Sequence, residues 1–443
     1  MLKAQIESPF APLVVGVLRS ARFNLIADLG MVDRRIYHLH IPKTAGTSFR
    51  IWLSDLFDQQ ACCPWFHHHE LDARNNQSLH RYCFFSGHHG YPLVERLGAI
   101  FPLATVTFLR EPVRREYSEW NYIRNFTDEQ IRRFGKETWA RADLVQAAQT
   151  LSPSKFLTSS AKSQNANTQV KHLLGTPDST APAPEKIAFA MQRLLDLDAF
   201  GLVEDMERSA LMINAELGLP PRLLSKHFNV RDDASHPMAD WNDSDIALAS
   251  ETNNLDIQLY AFAKNEFERR WQGLLKQKGV EPGPGEIDRL RETLLRFTPT
   301  ISVNPIKAGF LGVESGMLLD GWHERFFYPP LGRWLRWAGP GLTSLMWLPL
   351  DRSEPRHIQI EIAYFMSHHI SNALEISVAQ TNFTACHDDD ANDSLSVGRR
   401  FSTTLPPLTD NSQYTLIKFK VPEVLSTPEG NSQSFALSGI TIF

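Results

Sequence analysis

The chain has few cysteines and no strong excess of charge of either sign. Its four cysteines, Cys62, Cys63, Cys83 and Cys386, form no CxxC pair, and neighbours such as Cys62 and Cys63 rarely bridge each other. This usage argues against a secreted disulfide framework and favours reduced thiols and a cytoplasmic location. The net charge of −5 argues against a nucleic-acid partner bound through overall charge.

Long apolar runs are also missing. The segment Pro9 to Leu18 is apolar but too short to span a membrane, and no small-residue cleavage site follows it. We therefore expect neither a signal peptide nor an integral membrane segment. Hydrophobic residues make up 42% of the 443 residues and charged residues 21%, which is typical of soluble globular proteins. A chain of this length is expected to form two or more domains.

A turn of small residues follows the first clear strand pattern. Ile36, Leu39 and Ile41 predict a strand, and a periodic apolar segment from Phe49 predicts a helix. The intervening sequence PKTAGTS comprises Pro42, Lys43, Thr44, Ala45, Gly46, Thr47 and Ser48. A strand-turn-helix loop directs backbone N–H groups and the helix dipole to one point, and here a lysine and three hydroxyls add donors. The pattern predicts a phosphate-type anion site, although a connection that binds nothing has the same local signature.

The loop does not have the Walker order GxxxxGK[ST], because Lys43 precedes Gly46 and no strand ending in Asp follows to hold magnesium. PKTAGTS instead resembles the 5′-phosphosulfate loop of sulfotransferases that use 3′-phosphoadenosine 5′-phosphosulfate (PAPS). The similar branch contains heparan sulfate 2-O- and 6-O-sulfotransferases and bacterial relatives. The resemblance implies that residues 43 to 48 bind the cofactor and that Lys43 also takes part in catalysis.

Two histidines follow the next strand pattern, Tyr82 to Phe85, at the edge where α/β sheets bind ligands. The Gly-His pair formed by Gly87 and His88 resembles the GH motif of the same branch, which implies that His88 is the catalytic base. His89 stands where relatives often carry an aromatic residue, and we expect it to contact the acceptor.

A histidine run precedes this strand, at His67, His68 and His69, and is followed by Glu70. It has no HExxH spacing, so we expect no metal site. We interpret the run as a loop that faces the acceptor, with Glu70 as a substrate-binding residue.

A third motif follows the strand pattern Thr105 to Leu109. Arg110 ends this strand, Pro112 opens a helix, and Ser118 lies on that helix. This Arg and Ser resemble the 3′-phosphate-binding motif of PAPS enzymes, and a guanidinium suits phosphate because it can donate two parallel hydrogen bonds. The segment NTQVKHLLG, residues 167 to 175, also resembles the family, with Lys171 in place of the usual Arg as a further cofactor contact.

Alternating strand and helix patterns up to residue 271 predict a P-loop-like parallel sheet with helices on both faces. Alternation of Pro and Gly in residues 278 to 286 interrupts this pattern, and short strands after it predict a C-terminal β-sandwich. We therefore predict a sulfotransferase domain at 1–277 (core 36–271), a linker and helix at 278–298, and an accessory domain at 299–443. We expect the first domain to be separable from the rest. Trp322, Trp334 and Trp337 are compatible with sugar stacking or with core packing.

Together the motifs imply a PAPS-dependent sulfotransferase that transfers a sulfuryl group to a carbohydrate hydroxyl, on a polysaccharide or glycolipid, without a metal. Two alternatives stay open. A nucleotide-dependent kinase could use the same anion loop but would need magnesium, and a glycan-binding protein without catalysis would rest on the C-terminal sandwich. A homo-oligomer is compatible with the sequence.

Overall fold

The computed structural model describes residues 34–130, 142–163, 166–175, 182–223, 238, 240–295, 305–385, 398–408, 414–428 and 430–443. The apolar segment at residues 9–18 and Cys386 lie outside these ranges. Among the helices described, none is long and apolar enough to cross a membrane.

Four parallel strands form the first sheet, in the order β2-β1-β3-β4. They are β1 (Arg35–Leu39), β2 (Phe84–Gly87), β3 (Leu103–Leu109) and β4 (Ala199–Leu202). The chain leaves β1 for β2 on one side and returns to β3 on the other, so the winding direction reverses beside β1. In open α/β sheets ligands bind at the carboxyl edge of such a reversal. The connections after β1 and β3 both begin there.

The helices before residue 296 cover both faces of this sheet or pack beside it. They are α1 (Gly46–Ser54), α2 (His68–Asp72), α3 (Tyr91–Gly98), α4 (Pro112–Ile123), α5 (Ala142–Thr150), α6 (Pro153–Leu157), α7 (Ser160–Ser163), α8 (Thr168–Leu174), α9 (Ala183–Asp196), α10 (Met206–Leu217), α11 (Asp243–Thr252), α12 (Asn254–Lys278) and α13 (Glu286–Leu295). Side chains alternate along β1, so Ile36 packs with α1 and α10 and Tyr37 packs with α3, α9 and α12. In α1, Phe49, Trp52 and Leu53 form the apolar stripe that fixes the helix to the sheet.

From residue 305 onward the described residues form mainly β-strands, with the short α-helix α14 (His368–Ala373) and a 3-10 turn at Pro329–Leu331. A seven-stranded sheet has the order β13-β14-β10-β18-β8-β7 with β5 on β18, and a five-stranded sheet has the order β12-β11-β15-β9-β6. The strands are β5 (Gly309–Gly312), β6 (Leu318–Asp320), β7 (Trp322–Tyr328), β8 (Arg333–Ala338), β9 (Thr343–Leu348), β10 (Arg356–Phe365), β11 (Glu375–Val378), β12 (Thr381–Asn382), β13 (Thr384–Ala385), β14 (Arg399–Leu405), β15 (Thr415–Lys420), β16 (Leu425–Ser426), β17 (Ser432–Gln433) and β18 (Phe435–Ile442). The prediction of an α/β region followed by a sandwich-like β region is confirmed at this level.

The tryptophans of the β region differ in their surroundings. Trp322 is 6% exposed and donates from Nε1 to the Leu345 carbonyl at 3.0 Å, so it belongs to the core. Trp334 and Trp337 are half-buried. Sugar stacking is therefore excluded for Trp322 in this fold.

The two regions share one hydrophobic core. The cluster that contains Ile36 and the buried face of α1 continues into Leu318, Met346 and Trp347 of the β region. A chain cut within residues 278–286 would expose these apolar side chains to water. The expectation that the first region is separable is therefore revised, because the β region covers an apolar face of the α/β region.

Buried arginines reinforce this contact at the C-terminal end of α1. Arg222 donates to the Trp52 carbonyl at 2.7 Å, and Arg325 donates to the Ser54 carbonyl at 3.2 Å. Arg336 forms an ion pair with Asp55, Nη2 to Oδ1, at 2.8 Å. The last carbonyls of a helix carry partial negative charge and need donors. Cations from outside α1 thus hold the end of the helix that begins at the anion loop.

We expect Asp55→Asn to lower the free energy of unfolding by about 3–5 kcal/mol, because it leaves the Arg336 cation buried without its counter-charge. The matched control is Glu375→Gln, which breaks the exposed pair with Lys420 and should cost less than about 1 kcal/mol. Urea titrations of the full chain measure both. Equal effects would show that the buried pair does not hold the two regions together.

Candidate functional site

The loop after β1 contains two residues in the left-handed backbone region. Lys43 has φ of 67° and Ala45 has φ of 57°, which is unusual for residues with a Cβ. Such strain persists only where the surroundings enforce it, and it is concentrated at ligand sites. The conformation is thus a stronger indication of a binding loop than the sequence pattern alone.

Three consecutive carbonyls of this loop accept side-chain hydrogen bonds. Thr44 Oγ1 donates to the Ile41 carbonyl at 2.9 Å, Arg115 Nη1 to the Pro42 carbonyl at 3.4 Å, and Arg110 Nη1 to the Lys43 carbonyl at 3.3 Å. In a trans peptide the N–H points opposite to the C=O. Because the Pro42 and Lys43 carbonyls face donors inside the protein, the N–H groups of Lys43 and Thr44 face the opposite way. An anion-binding nest requires N–H groups in this orientation.

Helix α1 begins directly after this loop. Among the described residues, no side chain caps its N-terminus, and its first turn contains no acidic residue. The N–H groups of Gly46 and Thr47 thus belong to the unsatisfied first turn that makes a helix N-terminus attractive to anions. Thr47 is exposed and Ser48 is buried. The predicted phosphate-loop residues therefore form one continuous turn. The Thr44 hydroxyl already donates its hydrogen bond to the Ile41 carbonyl within this turn.

Arg110 lies where β3 ends, beside this loop. Its backbone N–H donates to Gln169 Oε1 at 3.0 Å, and Gln169 Nε2 donates back to the Arg110 carbonyl at 2.9 Å. Ser118 is half-buried on α4. The structure therefore places Arg110 next to Lys43, at the reversal of the sheet, and the 3′-phosphate contact of Arg110 and Ser118 stays a prediction.

The NTQ segment has a structural explanation. Asn167 Oδ1 accepts the N–H groups of Leu255 and Asp256 at the start of α12, at 3.0 and 3.1 Å. Asp256 in turn accepts the N–H groups of Gln169 and Val170 at the start of α8, at 3.1 and 2.8 Å. Each helix thus caps the other, which positions Gln169 for its contact with Arg110.

Lys43 and Lys171 are the two predicted lysines of the site. The Lys43 ammonium lies 4.1 Å from the centre of the Tyr122 ring, a cation–π contact with an aromatic residue that is 41% exposed. Tyr122 carries no motif, so the sequence provides no signal for it. Lys171 is exposed on α8, and partial burial lowers its pKa, with repulsion from Lys162 as a further cause. The cofactor contact of Lys171 stays a prediction.

Arg115 is fully buried and forms ion pairs with Glu116 and Glu119, each at 3.0 Å. Lys162 reaches the same two carboxylates, each at 2.8 Å. Four buried charges of balanced sign thus stand behind the loop, and removal of one would leave an uncompensated charge. Through its bond to Pro42, Arg115 supports the loop from inside the protein.

The imidazole of His88 lies beside the end of β1. Nδ1 is 2.9 Å from the His40 carbonyl, which can only accept, so the proton must be on Nδ1. Nε2 then carries a lone pair, as a general base requires. Burial lowers the pKa of His88 well below its ordinary value, and repulsion by His40 adds to this effect, so the base form dominates at neutral pH.

His89 points the other way. It is 8% exposed, and its Nε2 donates to the Trp65 carbonyl at 3.2 Å. The residue before the two histidines, Gly87, must lack a side chain, because a Cβ there would come within 2.2 Å of the Phe66 carbonyl oxygen. Of the two adjacent imidazoles, only His88 joins the group of side chains near the loop; the acceptor contact of His89 stays a prediction.

Glu70 acts as a helix cap. Its carboxylate accepts the N–H groups of Phe66 and His67 at 2.9 and 2.8 Å, in a capping box at α2. Burial alone would raise the pKa of Glu70, but these two donors lower it. Across the described residues, no group of three or more His, Cys, Asp or Glu side chains could hold a metal ion. The acceptor role of Glu70 stays a prediction.

Three histidines that the motifs do not single out surround His88. The ring of His40 lies 4.5 Å from that of His88, His38 stacks on His40 at 5.2 Å, and His172 lies 6.3 Å from His88. His38 in β1 and His40 directly after it alternate with apolar residues, a spacing that could have indicated that they share one face. Arg50 of α1 adds an exposed cation 5.6 Å from the Phe66 ring beside this cluster.

Comparisons with known proteins add little. No protein-family model matches the chain, and no curated protein does. A solved structure with some similarity is the family GH115 4-O-methyl-alpha-glucuronidase BtGH115A, described as having specificity for decorated arabinogalactans. It is 9% identical with a TM-score of 0.18, and the match covers 68% of this chain and 39% of that chain. A similarity of this size carries no argument about fold or function.

The histidine cluster predicts that stability falls in acid. Burial lowers the pKa of His38 to about 3 and that of His172 to about 4, whereas the unfolded chain should titrate near 6.5. Below about pH 6.5 the unfolded state binds protons that the folded state does not, so the free energy of unfolding should fall by about 1.4 kcal/mol per pH unit for each such histidine. Above that pH this loss is absent.

Urea unfolding at several pH values between 4.5 and 7.5 measures the slope. His172→Phe should reduce it by about one proton, and His69→Phe, which changes an exposed histidine, serves as the matched control. A slope unchanged by His172→Phe would contradict a neutral buried imidazole at that position.

Proposed function

We propose that the protein is a PAPS-dependent sulfotransferase that uses the loop after β1 as a P-loop-like phosphosulfate site and transfers the sulfuryl group to a carbohydrate hydroxyl. The observation that carries this proposal is the turned loop of residues 42–45 with Arg110 held against it. Its strained backbone, uncapped helix and adjacent guanidinium offer donors for an anion with more than one phosphate-type group. The resemblance of PKTAGTS and of the Arg110 and Ser118 pair to PAPS enzymes supplies the identity of that anion.

The chemistry proposed is an in-line displacement at sulfur. The acceptor oxygen attacks the sulfur as the bond from sulfur to the bridging phosphate oxygen breaks, and 3′-phosphoadenosine 5′-phosphate leaves. Lys43 and the loop N–H groups neutralise the charge that develops on the departing oxygen. His88 takes the proton of the hydroxyl on Nε2, while its Nδ1–H stays bonded to the His40 carbonyl.

The carbohydrate class of the acceptor rests on the motif resemblance. His89, Glu70 and the half-buried Trp334 and Trp337 are the residues proposed to lie near or bind the sugar. Incubation of the full chain with labelled PAPS and a panel of polysaccharides and lipid-linked sugars, followed by mass spectrometry, tests this class. Transfer only to non-sugar hydroxyls would overturn it.

The donor site predicts a preference for the 3′-phosphate. 3′-Phosphoadenosine 5′-phosphate should bind the protein more tightly than adenosine 5′-phosphate, and Arg110→Ala should remove the preference. Loss of a charge-assisted contact costs about 1.5–3 kcal/mol, which is roughly tenfold to a hundredfold in affinity. Calorimetry with both nucleotides measures it.

The matched control is Arg114→Ala, which removes an exposed arginine of α4, the helix that follows Arg110. Equal affinities of the wild-type protein for the two nucleotides would argue against PAPS as donor. A preference lost equally in both variants would mean that only general charge matters.

His88→Ala should lower the turnover rate by roughly 10²–10⁴ and leave nucleotide affinity almost unchanged, because the nucleotide is held by the loop and Arg110. His89→Ala is the comparison variant: it keeps the proposed base, so loss of an acceptor contact there should raise KM for the acceptor and lower the turnover rate far less. Since the pKa of His88 is lowered in the protein without donor, the acidic limb of kcat/KM for the donor should lie well below pH 6.5. An inactive His89→Ala beside an active His88→Ala would move the base by one residue.

A further inference from the structure

His40 lies between the anion loop and His88. It follows β1 directly and is only 5% exposed. Its ring stacks on His38 and lies 4.5 Å from the ring of His88. Burying a polar ring costs free energy unless its nitrogens find partners. The placement of these nitrogens therefore indicates what the residue does.

The ring lies against the first residue of α1. A Cβ added to Gly46 would come within 1.8 Å of both Cδ2 and Nε2 of His40. In a helix the Cα–Cβ bond tilts toward the N-terminus. Nε2 therefore lies on the side of Gly46 where the first N–H groups of α1 open, and glycine at this position permits the close approach.

Nδ1 of His40 is buried and has no hydrogen-bond partner among the residues that the structure describes. Burial lowers the pKa of His40 well below its ordinary value, and repulsion by His38 contributes, so the ring is neutral with a single N–H. A proton on Nδ1 would be buried without an acceptor. A proton on Nε2 faces the opening of the helix, where a bound anion can accept it.

We propose that His40 is a further anion-binding residue, which donates from Nε2–H to an oxygen of the phosphosulfate group at the N-terminus of α1. The identity of that anion rests on the proposed function. The backbone carbonyl of the same residue accepts Nδ1–H of His88 at 2.9 Å. One residue thus contacts the group to be transferred through its side chain and orients the base through its backbone.

Two variants of the full chain separate hydrogen bonding from packing. His40→Phe keeps a ring of similar size and removes both nitrogens, whereas His40→Gln places an amide N–H₂ near the position of Nε2. Calorimetry with 3′-phosphoadenosine 5′-phosphate should show roughly tenfold to a hundredfold weaker binding for His40→Phe and recovery of most of that loss for His40→Gln. Should His40→Phe fail to fold, His40→Asn replaces it, because its amide reaches only the position of Nδ1.

Nitrogen NMR of the histidine-labelled full chain provides a readout that packing would not change. The free protein should show His40 with its proton on Nε2, and added nucleotide should shift that nitrogen. The inference would be overturned if the NMR spectrum placed the proton of His40 on Nδ1, or if His40→Phe bound the nucleotide as tightly as the wild type does. Either result would leave the proposed function standing.

Inorganic phosphate is the second probe, and it distinguishes the two proposals. Phosphate binding that depends on His40, without binding of the nucleotide, would support the role of His40 and overturn the sulfotransferase proposal. Binding of neither probe by the wild type would overturn both.

Discussion

Helix α1 connects the two halves of the molecule, and the position of the candidate site depends on how it is held. Its N-terminus opens at the carboxyl edge of the parallel sheet, and its C-terminal carbonyls accept hydrogen bonds from Arg222 and Arg325. The Asp55 and Arg336 pair then links the end of the helix to the β region. Cations at the negative end of the dipole leave the positive end free to act on an anion. The β region thus helps to position the site through its contacts with the C-terminal end of α1.

The loop before α1 is also held by side chains that donate hydrogen bonds to its carbonyls. Strain at Lys43 and Ala45 is offset by side chains that bind the carbonyls of residues 41 to 43. Thr44 belongs to the loop itself, Arg110 follows β3, and Arg115 lies on α4. Arg115 is itself held in a buried network with Glu116 and Glu119. A change in that network would therefore alter the direction of backbone N–H groups that it never contacts directly.

Much of this arrangement could be predicted from local sequence. PKTAGTS marked the strand-turn-helix, and Arg110 followed a recognisable strand, because periodicity and turn chemistry are local properties. The strand patterns in the C-terminal part were found for the same reason. The prediction that the halves separate was made from the break at residues 278–286, which marks a change of pattern and does not report what packs on what.

The buried polar residues could not be predicted in the same way. Arg222, Arg325 and Arg336 would be assigned to the surface by residue type, and their burial is explained by partners distant in sequence, such as the Trp52 and Ser54 carbonyls and the Asp55 carboxylate. His38 in β1 and His40 directly after it are buried at positions where an apolar residue would serve equally well for the fold. Their value lies in contacts with groups distant in sequence, such as Ser86 and His88.

The depressed pKa values of the histidine cluster fit the proposed chemistry. A general base works best with a pKa close to the working pH, and burial places His88 well below that value in the protein alone. In the proposed reaction the donor brings several negative charges to the loop beside this ring, and nearby negative charge raises the pKa of an imidazole. The two effects oppose each other, so the base recovers proton affinity when the donor is bound. Burial thus lowers the pKa of His88, and binding of the anion raises it again toward the working pH. The His40 carbonyl keeps the proton on Nδ1 and so leaves the lone pair of Nε2 available in both states.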